Sequence, residues 1–206
     1  AAEALKANGV NCPFSTDAHP WRVLEQFSAR HGAPIASNNN GYAGLDAEYI
    51  FNEGIVADHM NNLAAWREAG LVKLNADTET GHYFRAFTGG ECAMAEGSTG
   101  GYGSAFEALG EDVQIAMAPM HEGTERRNTY IGGASIWVMD GFSDEEIEGA
   151  KAFLNFVRQN DQQIAFTEAT GYMPVTMPAL NELVASGRNE ELVFATAEMG
   201  VESLNQ

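Results

Sequence analysis

The chain has 206 residues, with 11 Lys and Arg against 29 Asp and Glu, a formal net charge of −18 and a pI near 4.4. That balance excludes a nucleic-acid binder held by a basic groove, because phosphate backbones are gripped by clustered cations. With 45% hydrophobic and 19% charged residues the chain can bury a core, and no stretch approaches the roughly 18 to 20 continuous apolar residues of a membrane span.

The length allows one large domain or parts of two. Ala1-Ala2-Glu3-Ala4-Leu5-Lys6 has neither the basic start nor the apolar run of a secretory signal. The missing initial Met and the ending Leu204-Asn205-Gln206 lead us to expect a segment of a longer protein. Two cysteines, Cys12 and Cys92, fit either one bridge in an oxidising compartment or two buried thiols in any compartment.

In chain order, Ala2 to Ala7 reads as a helix stopped by Gly9, and Val10 to Phe14 as a short strand followed by a polar loop from Ser15 to Pro20. Trp21, Leu24 and Phe27, with Ala29, form an apolar helical stripe that Gly32 ends. Ser37-Asn38-Asn39-Asn40-Gly41 is a turn; Val56, Met60, Leu63 and Trp66 mark a second amphipathic helix, and Tyr83, Phe84 and Phe87 a third. Cys92-Ala93-Met94-Ala95 reads as a strand buried on both faces, leading through Gly97-Ser98-Thr99-Gly100-Gly101-Tyr102-Gly103 into a helix containing Phe106 and Leu109. Alternation at Val113, Ile115 and Met117 predicts another strand, and Ile131 to Met139 a further one. Ser143-Asp144-Glu145-Glu146 is a capping box opening a helix with Ile147, Ala150, Leu154 and Val157 on one face. The next helix runs to Thr170, with Gly171 as its stop and Pro174 preventing its continuation, and the last segment is helical with a break at Gly187. Strands alternating with helices imply an α/β sheet covered on both faces.

The glycine-rich strand-to-helix turn at Gly97 to Gly103 is the first place to seek chemistry. Unpaired N–H groups at a helix N-terminus and close backbone approach at glycines favour anions, and Ser98 and Thr99 add hydroxyls. The turn lacks a P-loop lysine, and a flexible capped turn is the competing reading. His19, His31, His59, His82 and His121 never fall at H-x-x-x-H or H-x-H spacing, so no metal site is expected, nor any other cofactor. Cys92 has no activating base near it in sequence and reads as an inert buried thiol. Glu145 and Glu146 read as helix N-terminal charges and Arg126-Arg127 as a solvated pair. Trp21, preceded by Asp17 and His19, is either a ligand-stacking ring or a core anchor.

Several separated segments resemble the extracytoplasmic solute-binding proteins of ABC importers, and within that family the members that bind glycerol-3-phosphate. They are Trp21-x-x-Leu24-Glu25-x-Phe27-Ser28, Ala36-Ser37-Asn38-Asn39-Asn40-Gly41, Gly90-Glu91-Cys92-Ala93-Met94, Ile131-Gly132-Gly133-Ala134-Ser135-Ile136-Trp137-Val138-Met139 and Thr170-Gly171-Tyr172-Met173-Pro174-Val175-Thr176. The two cysteines also match, and the likeness spans nearly the whole chain.

The resemblance implies an α/β, two-lobed, type II periplasmic-binding fold that closes on its ligand. Residues 1–128 would be mainly the second lobe, 131–172 the crossover strand and helices of the first lobe, and 173–206 a return to the second. It further implies a non-enzymatic, monomeric, periplasmic receptor that passes a phosphorylated glycerol compound to a membrane permease. Ser98 would offer its hydroxyl, Gly133 its backbone N–H and Tyr172 its phenol, and Trp21 would pack on the glycerol end. Ala18 stands where the family has another tryptophan, which leaves room for a glycerophosphodiester, with Asp17 a neighbour for a cationic end. A sugar receptor or a sensor module on the same fold are the alternatives. A phosphoester-handling enzyme would need a positioned base or metal that the sequence does not display.

Overall fold

Three parallel extended segments organise the N-terminal part of the chain. The computed structural model describes residues 1–129 and 132–187. It divides into two units: Ala1–Gly97 with Ala118–Tyr130, and Ser98–Met117 with the chain from Ile131 onward.

In the first unit, helix α1 (Ala2–Ala7) ends at Gly9, whose φ of +87° is open to glycine at no steric cost. Strand β1 is confined to Phe14–Ser15 and pairs in parallel with β2 (Val72–Lys73), Phe14 opposite Val72 and Ser15 opposite Lys73. The strand expected over Val10 to Phe14 is therefore shorter and shifted, because Pro13 has no N–H to give a ladder. The expected polar loop begins inside the core: Ser15 and Thr16 are fully buried, and Ser15 Oγ donates to the Tyr83 carbonyl at 2.9 Å. On the other side of β1, Ala93 N–H donates to Cys12 O, Ser15 N–H to Met94 O and Glu96 N–H to Ser15 O, with a parallel bridge between Ser15 and Ala95. Residues 92–95 thus pair with the sheet as expected but form only a bridge, and Ala93 is exposed rather than buried on both faces. A disulfide joins Cys12 to Cys92 beside Ala86, resolving the cysteine alternatives in favour of one bridge.

Between β1 and β2 the chain opens a π-helical turn, Trp21–Gln26, that continues as α2 (Phe27–His31) and ends on left-handed Gly32. Its buried residues are Val23, Gln26, Phe27, Ser28 and Arg30, whereas Trp21, Leu24 and Ala29 stay partly exposed. The expected stripe is displaced because i→i+5 bonding does not follow the 3.6-residue period. The asparagine turn α3 (Ser37–Asn40) winds left-handed, with φ of 52°, 55° and 55° at Asn38, Asn39 and Asn40. Asparagine tolerates this region best among residues with a side chain. Asn40 Oδ1 supports it by accepting from the Ile35 and Ala36 N–H groups. Helix α4 (Gly54–Glu68) buries only Val56, and α5 (Tyr83–Thr88) is capped by the His82 ring. The segment from Ala118 returns to α2, where Arg127 N–H donates to Arg30 O and His121 N–H to His31 Nε2.

The second unit is helical. A 3-10 turn (Thr99–Gly101) leads into α6 (Tyr102–Leu109), followed after the interruption by α7 (Asp144–Val157), α8 (Asn160–Thr170) and α9 (Met177–Ser186). Ile164 of α8 packs with Ala179 and Leu183 of α9. The capping box forms as expected, Ser143 Oγ accepting from Glu146 N–H while the Glu146 carboxylate accepts from Ser143 N–H. Gly171 takes φ +80° as the α8 stop and Gly187 φ +62° after α9.

Neither strand expected in this unit is present among the described residues. Val113, Ile115 and Met117 keep their alternating burial but have no pairing partner, and residues 132–139 form no helix or strand. Ile131 lies outside the described residues. Ile136, Trp137 and Met139 are exposed and, with Phe142, Ile147, Phe153 and Leu154, line an open apolar groove of about 320 Å³. A strand needs a neighbour to satisfy its backbone, and alternation alone supplies none.

Candidate functional site

In parallel α/β arrangements, ligand groups collect beyond the carboxyl ends of the strands. Here β1 runs out into Thr16, Asp17, Ala18 and Trp21, and the segment beside it runs out into Glu96 and then the glycine turn at Gly97. Asp17 to Trp21 therefore continues β1, and Glu96 ends the segment paired with it, both within the first unit.

In the first unit these ends carry a charge network. The Asp17 carboxylate takes both arms of the Arg22 guanidinium, Nε at 3.0 Å and the other through Nη2. Burial opposes ionisation of Asp17, but the Arg22 and His19 N–H hydrogen bonds outweigh it and hold the carboxyl below its ordinary value. Asp17 is thus neutralised by Arg22 instead of standing free beside a cationic head group. The Arg22 guanidinium lies 5.1 Å from the Trp21 ring centre and 5.0 Å from that of Tyr83. Deeper in, Arg30 faces Glu96 at 3.9 Å. Burial pushes the Glu96 carboxyl up, Arg30 only partly offsetting it, and burial likewise lowers Arg30. Ala18 has φ +52°, a left-handed conformation that costs a residue with a side chain on the order of 1–2 kcal/mol. Trp21 is partly exposed, which suits a stacking ring better than a core anchor.

In the second unit Ser98 is exposed and caps the 3-10 turn, its Oγ accepting from Gly100 N–H at 3.3 Å. Tyr172, half exposed after the Gly171 stop, stands over this turn: a Cβ on Gly100 would sit 2.6 Å from Tyr172 Cζ. Its ring also stacks with Phe166 at 6.2 Å. Ser98 and Tyr172 are therefore both placed against Gly100, one by a hydrogen bond and the other by its ring. Gly133 adopts φ +147° with open space where a Cβ would stand. Gly100→Ala should force Tyr172 off the turn; a loss of ligand affinity of tenfold or more, with the helices intact by circular dichroism, is the expected result. Unchanged affinity would detach Tyr172 from the site.

Arg22, Tyr83, Arg30 and Glu96 escaped the sequence reading. Arg22 is hidden in an apolar stripe, and Glu96 follows a run that reads as buried strand. The one local signal is the five-residue spacing from Asp17 to Arg22, which brings the pair together where the chain enters a π turn.

Residues 1–186 match the profile described as bacterial extracellular solute-binding protein. The chain belongs to that family. Solute-binding proteins of this kind have a two-lobed periplasmic-binding fold, and the chain is similar to three relatives whose names specify a ligand. It is 35% identical over 183 residues to the sn-glycerol-3-phosphate-binding periplasmic protein UgpB of Brucella melitensis, covering 88% of this chain and 42% of that protein. The same-named protein of Rhizobium meliloti is 34% identical over 93% of this chain and 44% of its own length. That of Escherichia coli O1:K1 is 33% identical over 96% and 46%. The chain thus spans less than half the length of these solute-binding relatives.

Proposed function

We propose that the chain is part of an extracytoplasmic, periplasmic receptor that binds a phosphorylated glycerol compound and delivers it to the membrane permease of an ABC importer. The observation that carries this reading is the Ser98 to Gly101 turn with Tyr172 standing over Gly100. A turn opening a helix, flanked by the Ser98 hydroxyl and the Tyr172 phenol, suits the oxygens of a phosphate ester. The names of the relatives support the same ligand class, and the Cys12–Cys92 bridge fits an oxidising compartment. The net charge of −18 is no obstacle, since exposed charges are screened beyond about 8 Å at physiological salt.

The lobes follow the type II pattern in this proposal: residues 1–128 mainly in the second lobe, 131–172 in the first, 173–206 returning. Trp21 and Gly133 contribute to the ligand site together with Ser98 and Tyr172, and the receptor acts as a monomer without catalysis. A turnover assay with phosphoesters checks the last point, and sedimentation the first. Calorimetry on the complete receptor against glycerol-3-phosphate, glycerophosphodiesters and maltose-like sugars tests the ligand; tight binding of the sugars alone would replace this reading with a sugar receptor.

Ala18 favours a diester within that class. An aromatic contact is worth on the order of 0.5–1.5 kcal/mol beyond area burial, so lacking it weakens a small glycerol ligand by about threefold to tenfold. We expect a glycerophosphodiester to bind at least as tightly as glycerol-3-phosphate, and Ala18→Trp to reverse that order. The left-handed backbone at Ala18 makes Ala18→Gly the control for strain, because glycine relaxes it without filling the space. A wild-type preference for glycerol-3-phosphate that Ala18→Trp leaves unchanged would overturn the specificity argument.

A further inference from the structure

Trp21 and Arg22 open the π-helical turn, and neighbouring side chains on a helix point in different directions. Yet the Arg22 guanidinium lies over the Trp21 ring, 5.1 Å from its centre, and over the Tyr83 ring at 5.0 Å. It is held there by both Asp17 oxygens, with side-chain exposures of only 13% for Arg22 and 18% for Asp17. Asp17 is itself fixed: Oδ1 accepts from the His19 N–H at 3.0 Å, and His19 Nδ1 accepts from the Trp21 N–H at 3.2 Å. Tyr83, the second wall, is buried at 8% exposure. The charge of Arg22 is spent on Asp17, so the guanidinium is a poor anchor for a phosphate but a rigid planar plate against the indole.

We propose that Arg22 is a positioning residue for Trp21: clamped by Asp17 against Tyr83, it fixes the indole ring as the wall on which the glycerol end of the ligand packs. This rests on the role proposed for Trp21 above and adds the means by which a partly exposed tryptophan is held in one orientation before ligand arrives. A ring already in place loses less freedom on binding, which raises affinity without a new ligand contact.

The test is a double-mutant cycle in the complete receptor, titrated with glycerol-3-phosphate. Trp21→Ala should weaken binding about tenfold and Arg22→Met about threefold to fivefold. Arg22→Met placed on Trp21→Ala should add nothing, since Arg22 acts only through the ring. Arg22→Lys keeps the charge but not the plane, and should behave like Arg22→Met. Asp17→Asn, which frees the guanidinium with little change of volume, should reproduce part of the loss and serves if Arg22→Met does not fold. With Trp66, Trp137 and every tryptophan contributed by the rest of the complete receptor changed to Phe, acrylamide quenching of Trp21 should rise in Arg22→Met before ligand is added. If Trp21→Ala binds like wild type, the role of Trp21 fails and this inference with it. If Trp21→Ala weakens binding but Arg22→Met does not, or if the two losses add, Trp21 keeps its role and the positioning role of Arg22 is overturned.

Discussion

Replacing both Cys12 and Cys92 by alanine is expected to destabilise the chain by about 3 kcal/mol, with a fall in Tm of roughly 6–12 °C. The bridge closes a sequence separation of 80 residues, and the chain-entropy argument assigns between 4 and 5 kcal/mol to a loop of about that size, of which native disulfides typically deliver 2–5. Both cysteines are buried, and Ala86 fills the space beside them, so neither thiol has room to relax once separated. The bridge joins the start of β1 to the extended segment that pairs with it, with Ala93 N–H bonded to Cys12 O as the first link. Those two segments run out into Asp17 to Trp21 and into Glu96 and Gly97, so their register sets where the first-unit candidate residues stand. Reduction should accordingly lower Tm and weaken ligand binding together. Thermal melts with and without reductant check it; coincident melts, with both thiols labelled rapidly in native oxidised protein, would remove the bridge from the account.

How far the sequence disclosed this arrangement depends on whether a feature is local. Helices with their own stops were legible: Gly9, Gly32, Gly171 and Gly187 end helices at positive φ, and the Ser143 to Glu146 box closes on itself. The asparagine turn was legible too, though its left-handed winding was not. The expected strands suffered because a strand is defined by a partner elsewhere. Val113 to Met117 alternates in burial without pairing, and the apolar run from Ile136 to Met139, read from sequence as part of a strand, stands exposed without one. Likewise the Trp21 stripe failed where π winding replaced the ordinary period. For the candidate site, glycine chemistry pointed to Ser98, and resemblance to Tyr172; their meeting over Gly100 is a tertiary fact. The placement of Arg22 over the Trp21 and Tyr83 rings and the Arg30–Glu96 pair depend on side chains crossing between elements, which no spacing rule conveys.

Lowering the pH from 7 to about 4.5 should loosen the first unit through three histidines that sequence spacing had kept apart. His31, His59 and His121 surround Phe27, with ring centres 4.1, 3.9 and 5.4 Å from it and the His59 ring stacked on its face. Burial lowers His59 to about 4, helped by the positive field of Arg30 and by His121 and His31. Burial also lowers His31, against the Phe27 carbonyl and with Arg30, His121 and Arg126 adding to the shift. An unfolded histidine takes its proton near pH 6.5, whereas folded His59 resists until about 4, so the unfolded state binds more protons across that window. Stability is therefore fully present above about pH 6.5 and lost as pH falls toward 4. A buried ring would lose about 3 kcal/mol; the partial exposure of His59 reduces this to about 1–2 kcal/mol. Glu96 works in the opposite sense, because its raised carboxyl binds a proton more readily when folded. Asp17 and Asp77, held low by Arg22 and Arg67, titrate below the window and do not contribute. His59→Phe keeps the ring on Phe27 and removes the proton site, so its melting temperature should fall less between pH 7 and 4.5 than that of the wild type. Protonation of His31 would also end its acceptance of the His121 N–H, and the protection of that amide against exchange, relative to its intrinsic rate at each pH, should fall as the pH falls. Parallel pH profiles for wild type and His59→Phe, with no change at the His121 amide, would show that the cluster is a packing feature without a protonation response.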